Sequence, residues 1–268
     1  MKQQGKVAIV SISIAVDRIV TGATKGIGVA VAQEYAKEGA RVVLAGRTAD
    51  LGEAVAQGIR DQGREALFVT CDVSQRADVE RLVQAAVDRF QHIDIVVNNA
   101  GVNHSANFMD ITDADWDWVM GVDLKGTFML SQAAARVMIA QGRPGVIINI
   151  SSVMAVLALA DQVPYCAAKG AVNQMTKAMA LALIDKGIRV NAVGPGPVMT
   201  ELMQRVVNNE AKHNQLMERL PIGYIASCEE IARVCVFMAS DDSSYILGQC
   251  IYPDGGRMIQ AFPRKMEK

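Results

Sequence analysis

Short apolar runs rich in β-branched residues punctuate this chain at 41–45, 65–70, 93–97, 145–150 and 188–193. Their hydrophobicity is nearly continuous rather than alternating, as in strands buried on both faces. Between them lie 49–62, 75–90, 113–140 and 164–185, longer stretches with helical spacing of apolar positions. Strand and helix taking turns in this way predict an α/β fold, a doubly wound parallel sheet in three α/β/α layers. No linker, block of charge or long-period repeat interrupts the alternation, so 21–268 is expected to be a single domain. Residues 198–226 are less regular and carry Met199, Leu202, Met203, Leu216, Met217 and Leu220. That composition suits an apolar flap over a pocket, and equally core packing.

Composition narrows the partners. The 268 residues carry a formal charge of -1 and a pI near 6.3, which gives no reason to expect nucleic acid or an anionic membrane; a small molecule is the expected partner. The five cysteines (Cys71, Cys166, Cys228, Cys235, Cys250) are widely spaced, with no C-x-x-C pair. They read as reduced thiols of a cytoplasmic protein, with neither a disulfide framework nor a metal site. Cys166 is expected to pack inside, turned away from its neighbour Tyr165. Lys2 and Lys6 ahead of an apolar run at 7–16 have the look of a signal peptide. The run is too short to span a bilayer, and cleavage after it would remove part of a strand that the next segment needs.

That segment is Thr21-Gly22-Ala23-Thr24-Lys25-Gly26-Ile27-Gly28, followed by a helical pattern. Its glycines allow a tight turn, a close approach of backbone N–H groups to a pyrophosphate, and close helix packing, as in a Rossmann unit. The strand at 41–45 ends at Gly46-Arg47, about where such a unit places its ribose-reading residue. An acid there would bind the 2′-hydroxyl of NAD. Glycine followed by Arg47, with Lys25 in the loop, offers two cations to a 2′-phosphate instead, so NADP(H) is favoured over NAD(H).

Farther on, Tyr165 and Lys169 stand four residues apart, on one face of one helix. Ser152 follows the apolar run 146–150, and strand ends are where open α/β sheets hold their ligands. A phenol, an ammonium and a hydroxyl converging on one point make a proton-transfer site.

Taken in order, these segments resemble the short-chain dehydrogenase/reductase family from Thr21 to Gly256. The T-G-x-x-x-G-x-G loop is Thr21 to Gly28, and N-N-A-G is Asn98 to Gly101. The serine and Y-x-x-x-K elements are Ser152, Tyr165 and Lys169. Pro195-Gly196 leads on to Val198 and Thr200, and Asp254-Gly255-Gly256 resembles the family's closing D-G-G. The resemblance implies an oxidoreductase that interconverts a secondary alcohol and a ketone, with Tyr165 as general acid and base. A free phenol titrates at about 10; the ammonium of Lys169 and the positive nicotinamide of an oxidised cofactor would favour its phenolate. Lys169 would also bind the nicotinamide ribose, and Ser152 would hold the substrate oxygen. Further implied cofactor contacts are Gly22, Lys25, Gly26, Ile27, Gly28, Asp72, Val73, Asn99, Ala100, Gly101, Pro195, Gly196, Val198 and Thr200. Asp72 serves equally well as a helix N-cap, and Asn98 and Asn99 as partners for local backbone.

Substrate classes divide on the pocket walls. Asn103, His104 and Asn107 would suit a sugar or polyol; the Met/Leu-rich segment 199–220, with Met199 and Met203, and the apolar turn 153–157, with Met154, would suit a 3-oxoacyl or other apolar ketone. The alternative outside enzymes is a catalytically silent cofactor sensor or scaffold on the same fold. The resemblance further implies a homotetramer, a dimer of dimers, with 113–140 and 164–185 in the main contact.

Two departures from the family pattern stand out. Its N-L-x-G asparagine, which holds a water-linked proton relay, is replaced by Asp123 in Asp123-Leu124-Lys125-Gly126. Before the glycine loop, Lys6 to Val10 has the form of the usual first strand, yet ten residues, Ser11 to Val20, intervene before Thr21. Asp17 and Arg18 near the centre of a sheet are costly unless paired or displaced to an edge. The expected central strand is Arg18 to Val20 with a few preceding residues, and the upstream run an extra strand or extension, so 1–20 is set apart as an N-terminal region with an insertion. A variant lacking residues 11–20 is predicted to fold and bind NADP(H) at least as well as the full chain. Thermal melts and cofactor titration decide it: loss of folding or of binding would overturn the account.

Overall fold

In the computed structural model, which describes residues 16–262, seven strands form one sheet. They are β1 (Asp17–Thr21), β2 (Arg41–Gly46), β3 (Ala66–Thr70), β4 (Ile95–Asn98), β5 (Gly145–Ile150), β6 (Ile188–Val193) and β7 (Cys250–Ile251). Their order is β3-β2-β1-β4-β5-β6-β7, and all neighbours are parallel. The expected doubly wound sheet is therefore present. Successive residues of one strand serve opposite cores. Ile19, Val43, Val96, Ile147 and Val190 face one helical layer, whereas Val20, Val42, Leu44, Val97 and Ile148 face the other. The first layer comprises α3 (Arg76–Phe90), α5 (Thr127–Ala140) and α6 (Val163–Leu183), and the second α1 (Gly26–Lys37), α2 (Ala49–Arg60) and α9 (Cys228–Ala239). Chain direction across the sheet reverses between β1 and β4, which opens a crevice at their carboxyl ends.

Some boundaries differ from expectation. The stretch 113–140 is not one helix: α4 (Asp113–Val119) runs through a π-helical segment, Met120–Gly126, into α5. Residues 198–226 contain two regular helices, α7 (Glu201–Val207) and α8 (Glu210–Met217). Helix α9 carries a start signal that the sequence reading passed over, a capping box in which Ser227 and Glu230 satisfy each other's backbone N–H groups.

Strand β1 occupies the middle of the sheet and includes both charged residues. Asp17 is paired there. Its carboxylate accepts from Arg41 Nε at 2.6 Å and Nη2 at 2.9 Å, while its N–H donates to Asp94 Oδ2 at 2.7 Å. Arg143 donates to Asp94 at 2.9 Å, and His92 Nε2 lies 3.1 and 3.3 Å from the two acids. Asp17, His92 and Asp94 have metal-ligand spacing, but the arginines already engage both carboxylates, at the end of the sheet away from the crevice. The run upstream of Val16 lies outside the described residues.

Arg18 is held differently. It is 2% exposed, and Nε and Nη1 are buried without a hydrogen-bond partner among the described residues. Its guanidinium lies 4.2 Å from the centroid of the Tyr35 ring, and burial pulls its pKa below the usual arginine value. Burying an unpaired charge costs several kcal/mol, and a desolvated cation–π contact returns only about 2 kcal/mol. Arg18→Met, which keeps the contact with Tyr35, is predicted to stabilise the protein by about 1–3 kcal/mol in urea unfolding. A lower urea midpoint than wild type would count against this balance.

Candidate active site

The crevice is built on the glycine loop. Gly22 and Gly26 have φ of 62° and 55°, the left-handed region that glycine enters without strain. A Cβ on Gly28 would fall 2.3 Å from the Gly22 carbonyl oxygen, so the loop closes only around a bare backbone. Thr21 Oγ1 accepts from the N–H groups of Asn99 at 3.0 Å and Ala100 at 3.1 Å, and Asn99 Nδ2 donates to the Thr21 carbonyl at 2.9 Å. These bonds knot the ends of β1 and β4 together across the switch point. Asn98 points elsewhere, into a buried chain: its Nδ2 donates to Ser131 Oγ and Asn149 Oδ1, and Asn149 donates to Thr176.

Over the knot lies a cavity of about 510 Å³ lined by Gly22, Lys25, Gly26, Ile27, Gly46, Arg47, Asp72, Val73, Asn99, Ala100 and Gly101, and covered by Thr200 and Leu202. Its glycine cradle at a helix start and its elongated set of expected contacts fit a nicotinamide dinucleotide. A Cβ at Gly46 would meet Thr24 Cγ2 at 2.6 Å, so this position has no room for a ribose-reading acid. Arg47 is exposed beside it, and Lys25 donates to Glu201 of α7 at 2.8 Å. That ion pair joins residues 176 apart and escaped the sequence reading. Asp72 Oδ1 accepts from the N–H and hydroxyl of Ser74, so Asp72 holds its own turn while lining the cavity.

A second cavity of about 290 Å³ shares Ile27, Asn99, Gly101, Val102, Thr200 and Leu202 with the first and contains Ser152, Tyr165 and Lys169. The two form one continuous cleft. Ser152 follows β5, and its Oγ accepts from the N–H of Met154 at 3.1 Å. With its acceptor side engaged, the hydroxyl proton is free for a substrate oxygen. Proline at the second position of α6 suits a helix start and sets Tyr165 in the opening turn. Lys169 follows one turn later, its Nζ 5.5 Å from the Tyr165 ring centroid.

Lys169 is buried. Its Nζ donates to the Ile150 carbonyl at 3.0 Å and lies 3.0 Å from Asp123 Oδ2. Burial works against the ammonium, but the charge and hydrogen bonding of Asp123, helped by Tyr165, leave the pKa of Lys169 above the ordinary lysine value. Asp123 lies within the π-helical segment; its Oδ1 accepts from the Val102 N–H at 2.7 Å and its carbonyl from the Thr127 hydroxyl at 2.8 Å.

Pro195, Gly196 and Val198 line the same cleft. A Cβ on Gly196 would stand 2.8 Å from Asp254 Cα, which explains why the D-G-G segment packs on it. Of the expected substrate contacts, Met203 lines the cleft; His104, Met154 and Met199 line neither cavity. His104 Nε2 lies 3.5 Å from Asp115, Met154 is 7% exposed beneath its turn, and Met199 is 39% exposed on the far side. Leu202, from the Met/Leu-rich segment expected over the pocket, and Asn103, named for a sugar or polyol, also line it. Cys166, expected to pack inside, is half-buried.

A family model described as enoyl-(acyl carrier protein) reductase matches residues 22–257. The chain belongs to the short-chain dehydrogenase/reductase family and is an NAD(P)-dependent oxidoreductase of alcohols and ketones. It is 37% identical over 239 residues, 89% of this chain and 95% of the relative, to a 3-oxoacyl-[acyl-carrier-protein] reductase of Chlamydia trachomatis. A gluconate 5-dehydrogenase of Gluconobacter oxydans is 38% identical over 238 residues, 89% of this chain and 93% of the relative. An actinorhodin polyketide ketoreductase variant solved with NADPH superposes with a TM-score of 0.87 at 31% identity, covering 91% of this chain and 97% of that one. With this membership the reading as a catalytically silent sensor falls away.

Proposed function

We propose that the protein is an NADP(H)-dependent reductase of ketones with an apolar flank, of the 3-oxoacyl kind. The observation that carries the cofactor choice is the ribose end of the cleft, where Gly46 leaves no acid and Lys25 and Arg47 line the wall. Lys25 is held by Glu201, but with side chains 54% and 72% exposed this pair is worth only about 0–1 kcal/mol. A 2′-phosphate, carrying more charge than one carboxylate, would draw Lys25 to itself. The neighbour solved with NADPH supports the same cofactor, and the relative named a 3-oxoacyl reductase supports the substrate class.

The bound nicotinamide supplies or accepts the hydride. The chain's own groups do the rest. Ser152 and Tyr165 hydroxyls hold the carbonyl oxygen, Tyr165 gives it a proton as the alcohol forms, and Lys169 orients the ribose and keeps positive charge beside the phenol. The apolar flank rests on the walls: Ile27, Val102, Ile150, Leu202 and Met203 line the cavity. Two of the three polar residues suited to a sugar are engaged elsewhere, His104 with Asp115 and Asn107 with Asp110. One observation favours a sugar acid as the second reading: Asn103 lines the cavity with its Oδ1 buried and without a hydrogen-bond partner, ready for a substrate hydroxyl.

No helix among the described residues is long and apolar enough to cross a membrane, and free cysteines accord with a cytoplasmic setting. Exposed Phe128 and Ile139 on α5 and Leu181 on α6 suit the helix faces through which a homotetramer would assemble.

Steady-state kinetics test the cofactor choice. Wild type is predicted to have the higher kcat/KM with NADPH, and Arg47→Asp to lose about tenfold or more of that preference, the size of a lost charge-assisted contact; a wild-type preference for NADH would sink it. For the chemistry, Tyr165→Phe is predicted to abolish NADPH oxidation by a ketone with cofactor binding largely kept. Turnover of short 3-oxoacyl thioesters should exceed that of a polyol panel, and the reverse order would favour the sugar reading.

A further inference from the structure

The proton site depends on a lysine that burial alone would discharge. Lys169 is 4% exposed; its Nζ donates to the Ile150 carbonyl and pairs with Asp123 Oδ2 at 3.0 Å. Asp123 is 0% exposed. The two charges therefore face each other largely shielded from solvent. Space has been left for them: a Cβ on Gly101 would come within 3.1 Å of Asp123 Oδ2 and 3.4 Å of Lys169 Nζ.

Among the described residues, Asp123 is the acid paired with this ammonium. Tyr165 on its own helix is the other titratable group acting on it. Helix α4, which also packs on α6, carries Asp113, Asp115 and Asp117; Asp115 is taken up by Thr112 and His104, and the other two are exposed. β5 contributes the Ile150 carbonyl, a dipole without net charge. An ammonium sealed in protein without a counter-ion sheds its proton rather than remain charged.

We propose that Asp123 is a positioning residue whose carboxylate keeps Lys169 charged and in place inside the closed cleft. An asparagine of the same shape could still accept from Val102, but would not hold the charge. This rests on the reading of Lys169 as the cation of a hydride-transfer site, and the tests below separate the two.

Asp123→Asn keeps an acceptor for the Val102 N–H and removes only the counter-charge. Lys169 then binds its proton less tightly in the folded protein than in the unfolded chain. The unfolded state holds more protons, so the stability of the variant rises with pH. Melts of the full chain from pH 7 to 9.5 are predicted to show a deficit against wild type that shrinks as pH increases. A purely structural Asp123 gives a deficit that does not change with pH.

Asp123→Asn/Lys169→Met removes the stranded charge as well. It is predicted to melt higher than Asp123→Asn at pH 7; a double variant no more stable than the single one overturns the proposal, and it remains decisive if the single variant folds poorly. In kinetics, a discharged Lys169 no longer favours the Tyr165 phenolate, so the alkaline limb of kcat/KM for ketone reduction, where the phenol loses the proton it donates, should move to higher pH in Asp123→Asn. If no ketone is reduced by wild type, the reductase reading fails while the melts still decide the role of Asp123. Parallel melting curves overturn that role whatever the activity.

Discussion

The whole active cleft hangs on one hydroxyl. Thr21 Oγ1, at the end of β1, accepts the N–H groups of Asn99 and Ala100 at the end of β4. Those two strands run in register through Arg18–Ile95, Ile19–Val96 and Val20–Val97. The sheet delivers their ends side by side, and the hydroxyl satisfies backbone donors that the diverging chains would otherwise leave open. From one side of the knot the glycine loop turns into α1; from the other Gly101 leads to the space kept for Asp123 and Lys169. Cofactor cradle and proton site are thus two branches of one junction.

Such a junction tolerates strain elsewhere in β1. At its beginning the strand carries two buried charged residues, Asp17 and Arg18. Asp17 is neutralised by a bidentate Arg41, and its backbone is tied to Asp94. Arg18 lies against the Tyr35 ring, with Nε and Nη1 unpartnered among the described residues. Both lie at the amino end of the strand, while the cleft opens at the carboxyl end, so the electrostatic cost is borne away from the chemistry. A sheet can separate the two because register is set by backbone bonds, and these do not distinguish arginine from valine.

What was legible in the sequence was whatever is local. Apolar runs, glycines at fixed spacing and a phenol one helical turn from an ammonium depend on neighbours within a few residues, and the parallel sheet and the Ser152, Tyr165 and Lys169 constellation follow from them. Contacts made by folding were not legible. Glu201 on Lys25 spans 176 residues, and nothing in either segment names the other. The π-helical turn was hidden too, because 113–140 has an unbroken helical pattern in the sequence. Met154, Met199 and Met203 look alike in a sequence, and only packing places Met203 on the cleft wall.

Asp123 joins the legible and the illegible. Its departure from the family pattern was visible, but its consequence depended on which of its atoms faced Lys169. In the structure the main-chain carbonyl accepts from Thr127, one carboxylate oxygen accepts from Val102, and the other stands by the ammonium. An amide could reproduce the first two contacts and not the charge of the third. Nζ of Lys169 is held by its hydrogen bond to the Ile150 carbonyl and its ion pair with Asp123, with donor capacity left for a cofactor's ribose. The lysine is therefore oriented before anything binds, and the entropy of fixing a long side chain is spent in folding rather than in the bound complex.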